Sequence, residues 1–434
     1  MDFFRNRYHR INRTLLTLIG QWPYQSSKWR RCQQIIFHFN IISVMLVQGI
    51  KMFETRGDVD VMIECCTPMG VQVVACAKSI NCMINRHKMK DLLERIKKDW
   101  SSLTNEDEIK ILEKYAEDGK KLSLAYAIFI FYTMTMYLLI PLAPQVLDIV
   151  LPLNESRQRV FLYRTEYHVE AESYYYPIML HCYSSTLMQV SIIVATDAMF
   201  AVYVQHTCGK LCTATIDGSS MERITEDVSL KFEVKPAIED DFKYRQLIEC
   251  IKAHQDAIKF AVQVESSYSK LFIFQLGMNM LLISISLLQL LTKLGQYEEM
   301  YRHIQFISGQ MFHLFFNSWP GQKLINQSVN FRDSVYAAGW YTSSLRSRKL
   351  LKIVMLSGTS PPKITANRLY DVSMENFAQV RFCDHCFEAC LNLKRRTSRQ
   401  YFITGCANFN FLLYRFGVAA IDYRGDRSVT KREE

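Results

Sequence analysis

Thiols and an imidazole at metal-ligand spacing are the first candidates for chemistry in this chain: Cys383, Asp384, His385 and Cys386 are consecutive, and Cys390 follows. A structural zinc ion takes four such ligands, normally as two pairs separated by a stretch of chain. No distant second pair accompanies this cluster, so the signal is weak and no metal site is expected. The sequence also has no phosphate-cradling GxxxxGK[ST] loop, no GxSxG nucleophile elbow and no HExxH helix. Nothing here supports an enzyme or a cofactor. The remaining candidates are charges set inside apolar runs, namely Glu64, Lys78 and Asp197. Their meaning depends on the elements that carry them.

Those elements read as membrane spans. Span 1 is expected over 32–53 and span 2 over 59–84, the latter softened by Glu64, Cys65, Cys66, Pro68 and Lys78. Span 3, 122–147, is the clearest, and Pro141 and Pro144 predict a kinked or unwound outer end. Spans 4, 5 and 6 follow over 177–205, 268–291 and 301–319, and a seventh starts near 364–373. A charged, amphipathic segment from Arg86 to Lys121 carries Leu92, Leu93 and Ile96 at helical spacing and reads as a solvated helix. The segment from Thr207 to Ser266 is polar, with a Thr/Asp/Gly/Ser loop before a further helix. The chain has 434 residues and no Gly/Ser-rich linker, which fits one integral unit or two ordinary domains. Its mean hydropathy of −0.03 is low for a bundle of spans. Long polar loops would account for that.

Orientation follows from Lys and Arg. Roughly 32 lie in the N-terminal arm and the loops on its side, against about 7 on the other. A multi-pass cell-membrane protein with a cytoplasmic N-terminus is therefore expected, which argues against a G-protein-coupled receptor. The net charge of +10 is concentrated on the cytoplasmic side, where anionic lipid accounts for it and no nucleic acid is implied. Of the thirteen cysteines, none falls in the loops between spans 1 and 2 or 3 and 4, so free thiols are expected. Asn154-Glu155-Ser156 on the outer side matches a glycosylation acceptor, a triplet common by chance.

Depth then sorts the charges. Asp197 lies 20 residues beyond Pro177, about 30 Å along a helix, and is expected at the cytoplasmic boundary as an ordinary interfacial carboxylate. Lys78 stands at similar depth in span 2 and reads the same way. Glu64 falls in the outer two turns, where ligand contact and a carboxylate facing water both remain open.

One stretch is more specific. From Ser328 to Val380 the chain reads as two helices around a break. The first, about Thr342 to Leu356, places Leu350, Ile353 and Val354 on one face among Arg346, Arg348, Lys349 and Lys352. Gly358, Pro361 and Pro362 end it, and Ser373 can cap a second helix that has Glu375 in its first turn. Tyr336, Gly339-Trp340-Tyr341, RKLL, a Pro, and a Ser opening a helix with Phe377 occur in one order across this stretch. That succession resembles the C-terminal signature of insect odorant receptors.

The resemblance implies an all-α polytopic protein with seven transmembrane helices, a cytoplasmic N-terminus and a cytoplasmic helical anchor region. It implies a tuning subunit that binds a small volatile odorant and gates a cation channel in the lipid membrane with the family's odorant receptor co-receptor. The outer halves of spans 2, 3, 4 and 6 contain Met69 and Gln72; Met134, Tyr137 and Leu138; Ile178, Met179 and Cys182; Phe306 and Gln310. Methionines and aromatics with a few hydrogen-bonding groups suit a deformable ligand pocket, and ordinary helix packing uses the same residue types. The family's odorant pocket lies in this outer region.

The resemblance covers the body, 1–380. In the family the seventh helix continues as apolar and small residues, whereas 381–434 begins with Arg381, Asp384, His385 and Glu388, followed by Lys394, Arg395 and Arg396. Charges at bilayer depth cost about 3 kcal/mol each. This tail is atypical, and no pore residue is carried over. A gustatory receptor of the same superfamily and a channel-dead binding or assembly subunit stay open beside the odorant-receptor reading; a transporter lacks an inverted repeat to support it.

Overall fold

The computed structural model describes residues 3–103, 105–150, 157–229, 236–293, 295–337, 344–359 and 361–379. Eleven α-helices appear among these: α1 Arg10–Leu18, α2 Ser27–Glu54, α3 Val59–Ile84, α4 Arg86–Ser102, α5 Glu106–Leu139, α6 Ala143–Val150, α7 Tyr175–Ser229, α8 Pro236–Thr292, α9 Tyr297–Ala337, α10 Leu345–Ser357 and α11 Met374–Gln379. A two-stranded antiparallel hairpin, β1 Thr365–Ala366 and β2 Tyr370–Asp371, precedes α11. Asn154, the Cys383–Cys390 cluster and the rest of the tail lie outside the described residues.

Local chemistry sets the helix ends. The Asp58 carboxylate accepts the N–H groups of Asp60 and Val61 and opens α3. Asn105 caps α5, whose first turn holds Glu106, Asp107 and Glu108 against the positive helix end. Pro141 stops α5, as expected: a single 3₁₀ turn, Ile140–Leu142, leads into α6. Ser373 Oγ accepts the Asn376 N–H at 3.2 Å and opens α11.

Among the described residues, five stretches are long and apolar enough to cross a membrane: α2, α3, α5 through α6, α7 and α8. Helix α9 falls short because His303, His313, Asn317 and Ser318 interrupt its apolar run, yet all four point inward and are buried. The bundle is wrapped around α7, whose most apolar stretch is 83% buried against 17% for α2. On α2, Ile35, Phe39, Leu46 and Phe53 are exposed while Ile41 and Val44 are sealed inside. Such a surface suits lipid and not water.

The low mean hydropathy has a different origin from the expected loops. Polar stretches continue the spans as helix: α5 begins at Glu106, sixteen residues before the apolar run, α7 runs on to Ser229, and α8 starts at Pro236. Once packed side by side, such segments need only one apolar stripe each. Leu92, Leu93 and Ile96 of α4 supply one, and they are fully buried in the main core and not solvated. The buried side of α10 also differs from expectation. Ser347, Leu351 and Val354 face inward, while Ile353 is exposed.

The N-terminal arm packs against this end of the bundle through Phe4, Tyr8, Leu16, Ile19 and Trp22. His9 packs against the rings of Phe3 and Phe4, and burial, reinforced by the nearby His206, lowers its pKa to about 4. A folded-state pKa below the ordinary value of about 6.5 means that stability is full above pH 6.5 and is lost as pH falls toward 4. Proteolysis of the arm in the purified protein is therefore expected to rise across that window, and His9→Phe is expected to flatten the rise. Equal pH profiles for the two proteins would refute this assignment.

Candidate functional site

A cavity of about 170 Å³ lies between α3, α5, α7, α8 and α9. Its outer wall is the segment after α6, which folds back over the bundle. Glu166 donates its N–H to Val47 O at 3.1 Å and accepts Lys51 Nζ at 3.0 Å. Tyr167 OH meets His181 Nδ1 at 2.9 Å, and His181 Nε2 meets Ser43 Oγ at 2.8 Å. These ties hold Leu162, Tyr163 and Arg164 against the cavity. Outside the spans, the Lys51 ammonium holds the Glu166 carboxyl below its usual range.

The rim is ionic. Glu64 pairs with Arg164 at 2.9 Å and Lys293 at 3.4 Å, and Glu299 lies 3.6 Å from Arg302. Glu64 is thus both a cavity-lining group and an ion-paired one, a combination its position in the sequence left open. Along α9 the wall runs from Glu299 to His313, about 21 Å at 1.5 Å per residue.

The floor is a buried network. Asp197 of α7 accepts Tyr126 OH at 2.9 Å and His313 Nε2 at 2.8 Å on one oxygen, and its other oxygen takes Lys78 Nζ. Asn279 Nδ2 lies 3.4 Å from His313 Nδ1 and Gln275 Nε2 lies 3.3 Å from His313 Nε2. One cation and one anion cancel, and four helices are joined at a single carboxylate. Lys78 is 0% exposed and Asp197 3%. Both were expected at a water boundary. That expectation assumed Pro177 marks the membrane edge, but α7 is 55 residues long, so its ends do not fix its depth. The overlooked signal was an acid and a base at matched depth in two spans.

Of the residues proposed from sequence, Met134, Tyr137, Phe306 and Gln310 line this cavity together. Ile178, Met179 and Cys182 lie nearer the start of α7, in a cluster with Val44, Leu162, Tyr163 and Tyr175, against which Leu138 packs. Met69 and Gln72 lie on other faces of α3, Gln72 fully buried; the cavity face of α3 carries Glu64, Thr67, Pro68 and Val71. Helix α7 contributes Thr186, Gln189, Val190 and Ile193, deeper than the three residues chosen from the sequence. No cluster of metal-ligating side chains occurs among the described residues.

A helical membrane bundle with a cavity under a folded-back segment has the architecture of a polytopic receptor. The family model described as 7tm Odorant receptor matches residues 58–382, and the chain belongs to that family, whose members are seven-helix membrane receptors and not enzymes. It is 19% identical to Odorant receptor 13a of Drosophila melanogaster over 398 residues, covering 84% of this chain and 90% of that receptor. It is 21% identical to Odorant receptor Or2 of Anopheles gambiae over 310 residues, covering 69% and 75%. The structure of the insect olfactory receptor OR5 from Machilis hrabei in complex with eugenol matches with a TM-score of 0.72 at 15% identity, covering 90% of this chain and 98% of that one. At that identity the likeness establishes the fold.

Proposed function

We propose that this chain is an odorant-tuned receptor subunit that takes a small volatile ligand into the cavity and gates a cation channel together with the family's co-receptor, its N-terminus cytoplasmic. The observation that carries the reading is the cavity itself, bounded on one side by the 157–174 segment and floored by the Asp197 network. A ligand wedged between Tyr137 on α5 and Phe306 on α9 favours whichever packing of those helices accommodates it, and so shifts a closed-open equilibrium. The test is odorant-evoked current in cells expressing this chain with and without the co-receptor, with Tyr137→Ala alongside. Tyr137 OH reaches Leu162 O at 3.5 Å, so its loss enlarges the cavity and loosens its outer wall. A response profile shifted by about tenfold for at least one odorant, with surface delivery intact, is expected. An unchanged profile across a broad panel returns the tyrosine to plain packing.

A second reading, a binding subunit that does not itself conduct, is favoured by the charged run from Arg381 to Arg396. On that reading the chain co-purifies with the co-receptor and gives little current. Exchanging residues from Arg381 onward for an ordinary family ending then restores the current. Robust current from the unexchanged chain, equal to the exchanged one, refutes it.

A further inference from the structure

Hydrogen bonds fix the orientation of two carboxamides in the cavity wall. Thr186 Oγ1 donates to Cys182 O at 2.8 Å, so in its 2.6 Å contact with Tyr163 the tyrosine hydroxyl must supply the proton. The Tyr163 oxygen then accepts from Gln189 Nε2 at 3.2 Å. That orients the Gln189 amide and leaves its Oε1, in a side chain only 3% exposed, with no protein partner among the described residues. Gln305 Nε2 donates to Thr133 O at 2.5 Å, and a carbonyl has no proton to return. Gln305 Oε1 is likewise buried without a protein partner, while Glu299 Oε2 accepts no hydrogen bond and faces Arg302 at 3.6 Å. All three residues line the same cavity. Several donors there are already engaged: Tyr137 OH on Leu162 O, Thr67 on Gln289 Oε1, Arg164 on Glu64. His303 Nε2 is also buried there without a hydrogen-bond partner and can donate or accept; the two carboxamide oxygens can only accept.

Charge narrows the matching ligand. The carboxylates Glu64 and Glu299 face the three cations Arg164, Lys293 and Arg302, so no uncompensated negative charge awaits an ammonium group. A neutral donor fits. A single ring fits, because a cavity of about 150 Å³ accepts benzene and this one is about 170 Å³. Resting on the reading of the cavity as the ligand site, we propose that it selects compact neutral hydrogen-bond donors, single-ring phenols and short alcohols, over ethers and hydrocarbons of the same size. Gln189 Oε1 and Gln305 Oε1 are the acceptors. A ligand without a donor leaves these oxygens unpaired, and discrimination arises from that cost.

The test uses the full chain in phosphatidylcholine nanodiscs, with shifts of the thermal unfolding midpoint titrated by 4-methylphenol, 4-methylanisole and toluene. Partition into the lipid favours the ether and toluene, so a preference for the phenol cannot come from the bilayer. The phenol is expected to bind about tenfold more tightly than the ether. In Gln189→Met and in Gln305→Met the ratio is expected to fall toward one. Two variants are needed because Gln189 also supports Tyr163; if Gln189→Met does not fold, Gln305→Met decides. Equal affinity for phenol and ether in the natural chain, or an unchanged ratio in the folded variants, overturns the donor selectivity and leaves the cavity as a ligand site. No midpoint shift with any of the three compounds overturns the ligand site and the selectivity together.

Discussion

Asp197→Ala is expected to cost the receptor about 3–5 kcal/mol and to abolish a monodisperse, surface-delivered protein. The substitution strands the Lys78 ammonium, 0% exposed, with no counter-charge. It also removes the acceptor from Tyr126 OH and His313 Nε2. Water cannot readily replace these contacts, because Tyr126 stacks on Phe316 at 3.8 Å between ring centres and both rings are buried. Removing both charges is a different experiment. Lys78→Met with Asp197→Leu leaves an apolar floor and is expected to recover most of the loss, since a buried ion pair repays little more than its own desolvation. The measurement is size-exclusion profile and thermal midpoint of the natural chain, the single variant and the pair. A single variant as stable as the natural chain, or a pair no better than the single, would refute the account.

That network also shows where sequence reasoning stopped. Apolar runs located helices: α3 covers 59–84, and α2, Ser27–Glu54, extends the run at 32–53 by only a few residues. Polar stretches were harder to assign. A sequence such as the start of α5 is as compatible with a loop as with a helix until a neighbour covers its stripe, and here α7 does so. Contacts between spans were beyond reach for a related reason. Helical periodicity says which residues share a face but not which face meets which neighbour. Counting from the outer ends brought Met134, Tyr137, Phe306 and Gln310 into one cavity. On α7 the same count stopped at Cys182, because the 157–174 segment folds down over the outer end and buries Ile178, Met179 and Cys182 with Leu162 and Tyr163. Nothing local in that segment announces the fold-back, which depends on partners as distant as Ser43 and Lys51.

A second large effect is expected at Gly321. This glycine follows Pro320 in α9, and a Cβ placed there would sit 1.9 Å from the carbonyl oxygen of Val372. That oxygen belongs to backbone and cannot swing aside as a side chain does. It is held by the hairpin: Val372 N donates to Ile364 O at 2.8 Å, Lys363 pairs with Asp371 at 2.7 Å, and Asn376 Nδ2 donates to Asp371 O at 3.0 Å. Ile364, Ala366 and Val372 are all in the main core. Gly321→Ala therefore drives β1, β2 and the start of α11 away from α9, separating Phe377 from Phe315, whose rings now lie 5.9 Å apart. Overpacking of this kind costs about 1–3 kcal/mol, and more where backbone is the obstacle. The helix-propensity gain of Ala over Gly, about 1 kcal/mol, works in the opposite direction and is measured by the control Gly277→Ala, where an added Cβ meets nothing within 4 Å. Expected for Gly321→Ala are a lowered thermal midpoint, faster proteolysis between Gly358 and Lys363, and a weaker evoked current. Ligand binding in the cavity, whose walls are elsewhere, is expected to survive. A Gly321→Ala protein as stable and protease-resistant as Gly277→Ala would show that the hairpin does not depend on this close approach.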